Sequence, residues 1–172
     1  MRSLVPDRYF ATYQELTPAI LEKDGVRALL LDIDNTLAPY EQPEPDEALR
    51  AWLSSLAAAG IGVAFVSNNN EARVSLFNRT LGRPAFSRSA KPFRRGVKRA
   101  LAALGAKREE TALMGDQIFT DVGAARLCRL ARAYTVPPIR DTRDPFTRFK
   151  RLLERPIMRA YRRKTRNKEQ TK

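Results

Sequence analysis

Short, uninterrupted apolar runs set the pattern along this chain. Residues 28–31 are wholly apolar and end at Asp32. Residues 61–66 and 111–114 repeat the arrangement, and 133–136 make a last run closed by Pro137-Pro138. Runs this short, without polar alternation, suit strands buried on both faces, as in a parallel sheet. The intervals between them read as helices. One spans 46–59, capped by Asp46 and ended by Gly60, and a second spans 71–81, stopped by Gly82. A third spans 93–104, with Pro92 before it, Gly105 after it and Gly96 as an interruption inside it. A fourth spans 121–130. Residues 1–25 read as irregular or partly helical, with Thr17 a helix cap and Pro18 at the first helical position. Pro39, Pro43 and Pro45 exclude regular helix or central strand from the loop after the first run. Alternation of strand and helix predicts the α/β class, with a doubly wound, mainly parallel sheet.

Composition narrows the chemistry. The 172 residues suit one domain with a modest extra segment, and 43% hydrophobic content is enough for a core. No stretch approaches the roughly 18 apolar residues of a membrane span, and 28–31 is too short and badly flanked for a signal peptide. The expected location is the cytoplasm. One cysteine, Cys128, excludes an internal disulfide and a paired-cysteine metal site, and reads as core, as does Trp52. The chain has no histidine. That removes Ser-His-Asp and Cys-His catalysis and His-ligated zinc, leaving carboxylates, hydroxyls, amines and oxygen-loving metals.

In open α/β sheets ligands bind at the carboxyl ends of strands. After the first strand comes Asp32-Ile33-Asp34-Asn35-Thr36, and after the second Ser67-Asn68-Asn69-Asn70. Lys91-Pro92 precedes the third helix. Gly115-Asp116-Gln117 follows the third strand, with Asp121 a little beyond. Carboxylates gathered on one edge repel unless a cation sits among them, and oxygen ligands alone favour Mg²⁺. A hydroxyl and an ammonium can then hold phosphate oxygens. One carboxylate can attack phosphorus and another can protonate the leaving oxygen.

These four clusters, in this order, resemble the motif series of the haloacid-dehalogenase (HAD) superfamily: DxDxT at Asp32 to Thr36, Ser67, Lys91, and GDxxxxD from Gly115 to Asp121. The resemblance implies a HAD-like fold and a phosphohydrolase using Mg²⁺. It implies Asp32 as nucleophile and metal ligand. Asp34 would be the general acid/base, with its backbone carbonyl on the metal. Ser67, Asn68 and Lys91 would bind the phosphoryl group. Asp116 would bind Mg²⁺, with Asp121 supporting or completing its shell. Residues 37–60 and 68–90 leave no room for a cap domain. Leu16-Thr17-Pro18, Ser67-Asn68-Asn69 and Gly115-Asp116-Gln117-Ile118-Phe119-Thr120-Asp121 narrow the resemblance to the YqeG-like, subclass IIIA branch. Thr147-Arg148-Phe149 with Leu153-Glu154-Arg155 does so more weakly. That branch is similar to mitochondrial phosphatidylglycerophosphate phosphatases, which implies phosphatidylglycerophosphate as substrate.

Charge adds a second theme. Of the net +13, residues 140–172 carry +9 and residues 1–139 carry +4. The expected organisation is a phosphatase domain over 1–140, an amphipathic basic helical segment over 141–161, and a basic, disordered tail over 162–172. Asp144 and Pro145 read as a helix start; Phe146, Phe149, Leu153 and Ile157 follow at helical spacing; Pro156 should kink or restart the helix. A basic amphipathic segment of this kind suits an anionic membrane surface. It suits RNA or the ribosome nearly as well, because attraction to a phosphate backbone is equally unselective.

Overall fold

The computed structural model describes residues 3–140 and 145–169. Six parallel strands form one sheet: β1 (Arg8–Tyr9), β2 (Ala28–Leu31), β3 (Gly62–Val66), β4 (Ala85–Phe86), β5 (Thr111–Gly115) and β6 (Arg132–Thr135). Their spatial order is β1-β6-β5-β2-β3-β4. The three long helices of the domain are α2 (Glu47–Ala58), α3 (Glu71–Asn78) and α4 (Arg94–Leu104). The short helices α1 (Pro18–Lys23) and α5 (Gly123–Leu127) complete the domain, and α6 (Pro145–Glu169) follows it.

The four predicted strands are all present, and they are the centre of the sheet. Their unbroken apolar runs feed two cores, because successive side chains point to opposite faces. Leu29 and Leu31 join Val63, Phe65, Met114 and residues of α1–α3 on one face. Leu30 joins Ala64, Val66, Leu113 and residues of α4 and α5 on the other. Trp52 is packed as expected: its ring meets Tyr13 edge-on and its indole N–H donates to the Leu16 carbonyl at 2.9 Å. Cys128 is buried in the second core. Thr17 and Asp46 cap α1 and α2 through their side chains.

Several boundaries differ from expectation, each for a physical reason. β1 and β4 carry no run of their own; two residues pair with β6 and β3 at the sheet edges, and tertiary contact alone makes them strands. The third expected helix boundary is sound, but α3 stops at Asn78 instead of residue 81. There the Asn78 side chain turns to bond the backbone of Arg83. In place of one helix over 121–130, a π-helical turn spans Ile118–Val122 and leads into α5. Between the site motifs lie only loops, α2, α3 and β4, so no cap domain stands over the sheet among the described residues.

The C-terminal segment departs most. α6 runs through Pro156 without interruption and continues to Glu169, so residues 162–169 are helical instead of an irregular tail. The carbonyl that loses its donor to Pro156 belongs to Leu152, whose side chain is exposed, so water can replace the bond. Asp144 and the side chains of Phe146 and Phe149 lie outside the described residues. Ile157 and Met158 pack against the second core, and the Tyr161 hydroxyl accepts from the Tyr9 N–H at 3.0 Å. No described helix is long and apolar enough to cross a membrane.

Gly96 explains itself in this packing. A Cβ there would lie 2.3 Å from the Ser89 Cβ and 2.9 Å from its Cα. Ser89 cannot retreat easily, because its N–H donates to the Ser67 carbonyl and its hydroxyl to the Phe86 carbonyl. On helix propensity alone Gly96→Ala would stabilise by about 1 kcal/mol. The collision reverses the sign: the variant should lose about 1–3 kcal/mol in urea unfolding, and a gain would refute the close approach.

Candidate active site

All four polar clusters reach the carboxyl edge of the sheet. Asp32 follows β2, and its N–H still donates to the Met114 carbonyl of β5 at 3.0 Å, so the first and fourth clusters start in register. Ser67 follows β3. Its N–H bonds to Phe86 and its carbonyl receives the Ser89 N–H, which binds the second cluster to the chain leading into Lys91.

Lys91 is the centre of the site. Its Nζ lies 2.7 Å from Asp32 Oδ1 and 2.7 Å from Asp121 Oδ1, and all three side chains are buried. Asn68 holds the lysine by its backbone: the amide oxygen accepts from the Lys91 N–H at 2.7 Å, and the amide nitrogen donates to the Lys91 carbonyl at 3.0 Å. The Asn68 side chain thus braces the Lys91 backbone. The Ser67 hydroxyl accepts from the Asn69 N–H at 3.0 Å, which leaves its own proton to donate.

Asp116 and Asp121 complete the set. One carboxylate oxygen from each of Asp32, Asp116 and Asp121 lies within 4.8 Å of the others. Asp121 does not merely cap a helix. Its Oδ2 accepts from the Gln117 N–H and the Thr120 hydroxyl, while Oδ1 meets Lys91. The glycine of this motif has a steric reason: a Cβ on Gly115 would sit 2.2 Å from the Asp121 Cγ. Three buried carboxylates gather here with one ammonium in a place water scarcely reaches, and the ligand atoms they offer are all oxygen. That set fits Mg²⁺, with Asp32, Asp116 and Asp121 as the residues that would hold it.

Asp34 stands apart from this triad. Its Oδ2 accepts from Asn69 Nδ2 at 2.9 Å, and its Oδ1 from Arg73 Nε at 3.0 Å. Arg73 also donates to the Gln42 carbonyl at 2.7 Å, and its guanidinium lies over the rings of Tyr40 and Phe77. One buried arginine therefore fixes both Asp34 and the proline-rich loop. Asn35, Arg88 and Ala90, in the segments carrying Asp34 and Lys91, all adopt left-handed backbone conformations. Such residues cost about 1 kcal/mol or more each and persist only where surroundings enforce them.

Two functional residues escape the sequence reading. Arg73 is one arginine among many in a helix, 39 residues from Asp34. Glu154 is on α6. It is buried, and its Oε1 accepts from the Ile118 N–H at 2.7 Å and the Phe119 N–H at 3.2 Å. Those N–H groups open the π-helical turn that carries Asp121, and groups at the start of a helix need an outside acceptor. The only sequence signal was the Leu153-Glu154-Arg155 phrase, which gave no role.

Electrostatics follow from burial. Burial pushes the Asp32 carboxyl up, to about 7; Lys91 pulls it back, while Asp121 and Asp34 add repulsion. Burial would lower the Lys91 ammonium, but Asp121 and Asp32 more than offset it, and it stays protonated well above the ordinary lysine range.

A family model described as haloacid dehalogenase-like hydrolase matches residues 13–128. The chain is 35% identical over 161 residues to a Bacillus subtilis (strain 168) protein named "Probable phosphatase YqeG", covering 93% of this chain and 92% of that protein. A solved structure of an uncharacterized Listeria monocytogenes protein superposes with a TM-score of 0.54 at 15% identity, covering 70% of this chain and 85% of that one. A hypothetical protein from Xanthomonas campestris gives 0.50 at 19% identity, with 73% and 72% covered. These two similarities concern the fold.

Two predictions follow from the geometry. Without metal, the folded chain keeps a proton on Asp32 that the unfolded chain has already lost, between the ordinary carboxylate pKa and about 7. Metal-free stability should therefore fall as pH rises across that window, and Mg²⁺ should raise Tm more at pH 7 than at pH 5. Thermal melts at both pH values check this, and the Asp32→Asn variant should lose most of the difference. Glu154→Ala should raise the Mg²⁺ concentration needed for half-maximal stabilisation by about tenfold, as loss of an outer support commonly does. Glu154→Gln, which keeps an acceptor, should change it less.

Proposed function

The chain belongs to the haloacid dehalogenase-like hydrolase family, and from that premise we propose that it removes the terminal phosphate of phosphatidylglycerophosphate. Its activity is that of a phosphatase. The finer reading concerns the substrate and the part each residue plays.

The observation that carries the chemistry is the bridge from Lys91 to Asp32 and Asp121. The ammonium keeps Asp32 available as a carboxylate despite its burial. An Asp32 oxygen attacks phosphorus, the bond from phosphorus to the leaving oxygen breaks, and an aspartyl-phosphate forms on Asp32. Asp34, held apart by Asn69 and Arg73, is the proton donor of this reading: it takes a proton from solvent before the chemical step and gives it to the leaving alkoxide. It then takes a proton from water as that water attacks the same phosphorus, which frees phosphate and restores Asp32. Lys91 and the Ser67 hydroxyl hold the equatorial oxygens and offset their charge. Asp32, Asp116 and Asp121 would hold Mg²⁺, which when bound would supply further charge neutralisation at the phosphoryl group. A proton donor beside an alkoxide leaving group is what a phosphomonoester requires.

Two features support a phospholipid. No cap stands over the site among the described residues, and an open site suits a head group presented by a surface. The strong positive charge suits anionic lipid, which would make the protein peripheral at the inner face of the membrane. A second reading is RNA or ribosome association, favoured by exposed Arg155, Arg159, Arg162, Arg163 and Arg166 along α6.

With Mg²⁺ and phosphatidylglycerophosphate in mixed micelles, purified protein should release phosphate, and Asp32→Asn should lower the rate by about a thousandfold or more. Asp32-dependent release from soluble phosphates only would sink the lipid substrate and keep the phosphatase.

A further inference from the structure

We propose that the rim of the catalytic site is itself a membrane-docking surface, on which Phe93, Tyr40 and Ile139 enter the interface of an anionic phospholipid bilayer. The proposal deepens the lipid reading above and takes its substrate from it, but the binding it asserts can be measured without any substrate.

The rim presents apolar side chains that folding does not use. Phe93 is 69% exposed, two residues after Lys91 and immediately before α4. Tyr40 is exposed on the proline-rich loop, where Arg73 holds its ring. Ile139 is exposed beyond β6, and its N–H donates to the Asn35 carbonyl at 3.0 Å, which ties it to the Asp34 loop. Three separate loops at the carboxyl edge thus each present one large apolar side chain.

α6 adds to the same edge. The Glu154 bond to Ile118 and Phe119 fixes α6 against the loop that follows β5, and its neighbours Leu152 and Leu153 are exposed. Of the eight large apolar side chains exposed among the described residues, five lie on segments that build or clamp this edge. Single exposed hydrophobics need no explanation; their collection around one catalytic mouth does.

The charge around them is positive. Arg88, Arg94 and Arg95 are exposed on either side of Phe93, and Arg155 follows Leu153. Arg140 follows Ile139 and pairs with Glu41, at 3.5 Å, across the mouth. Apolar tips among arginines match the two layers of an anionic interface, acyl boundary and head group. Arginines alone would serve RNA equally. Ile139, Leu152 and Leu153 would not, because aliphatic side chains neither stack on bases nor contact phosphate. A protein seated here would close the mouth that the missing cap leaves open, whereas a bilayer brings the phosphate to it.

The test is co-sedimentation of the full chain with vesicles of phosphatidylcholine containing 30 mol% phosphatidylglycerol. Phe93→Ser with Ile139→Ser should weaken binding by about tenfold, and so should Arg94→Gln with Arg95→Gln. Both variants should still hydrolyse p-nitrophenyl phosphate like the parent, which shows that they fold. Arg162→Gln, Arg163→Gln and Arg166→Gln together should weaken vesicle binding by less than about threefold. Undiminished binding by the rim variants, equal binding to pure phosphatidylcholine, or loss confined to the α6 variant would each overturn the proposal. So would binding to RNA but not to vesicles. Rim-dependent vesicle binding without release of phosphate from phosphatidylglycerophosphate would sustain the docking surface and reject the substrate.

Discussion

The site depends on one ammonium group. Lys91 reaches Asp32 and Asp121 at 2.7 Å each, and without it those two buried carboxylates would face each other with no ammonium between them. Removing one member of such a buried set leaves an uncompensated charge and costs far more than the pair contributes when intact. Much of the surrounding structure can be understood as holding Lys91 in place. Asn68 brackets its peptide, Ser89 hangs from Ser67, and Gly96 has no side chain because α4 must come against Ser89. The same cluster brings three carboxylate oxygens within 4.8 Å of one another, and that gathering is what fits a divalent cation.

A second arrangement separates the two aspartates of the first motif. Asp32 and Asp34 are two residues apart, yet their carboxylates have different neighbours. Asp32 is buried beside Lys91, while Asp34 bonds Asn69 and Arg73 near the proline-rich loop. Under the proposed mechanism one would be the nucleophile and the other the proton donor, and neighbours this different allow two carboxylates so close in sequence to be tuned separately. The left-handed turn at Asn35 is where the backbone makes this divergence possible.

How much of this was legible in the chain follows from where each constraint acts. Strands β2, β3, β5 and β6 were readable because burial on both faces forces continuous apolar runs. Asp32, Ser67 and Asp116 were readable because each stands at or just beyond the end of such a run, Asp121 because it lies a few residues further on, and Lys91 because it immediately precedes a helix. β1 and β4 were not, since two residues pairing at an edge need no pattern of their own. The roles of Arg73 and Glu154 were hidden for a different cause. Their partners lie 39 and 36 residues away, and a charged residue in a helix looks the same whether it meets water or a buried N–H. The continuity of α6 through Pro156 was masked by a local rule that holds in a buried helix and relaxes where the freed carbonyl meets solvent.

Glu154 joins the two halves of the molecule. It places a carboxylate from the basic helix on the turn that carries Asp121, so α6 is a structural support of the metal-binding edge and not an appendage to it. Its position has a geometric consequence for any surface the protein meets. A helix fixed there shares an edge with the catalytic loops, so attraction of its arginines toward anionic head groups would turn the open mouth toward the same plane. With no cap among the described residues, orientation would then do the work of enclosure under the proposed lipid reading: the surface that supplies the substrate would also exclude bulk water from the site.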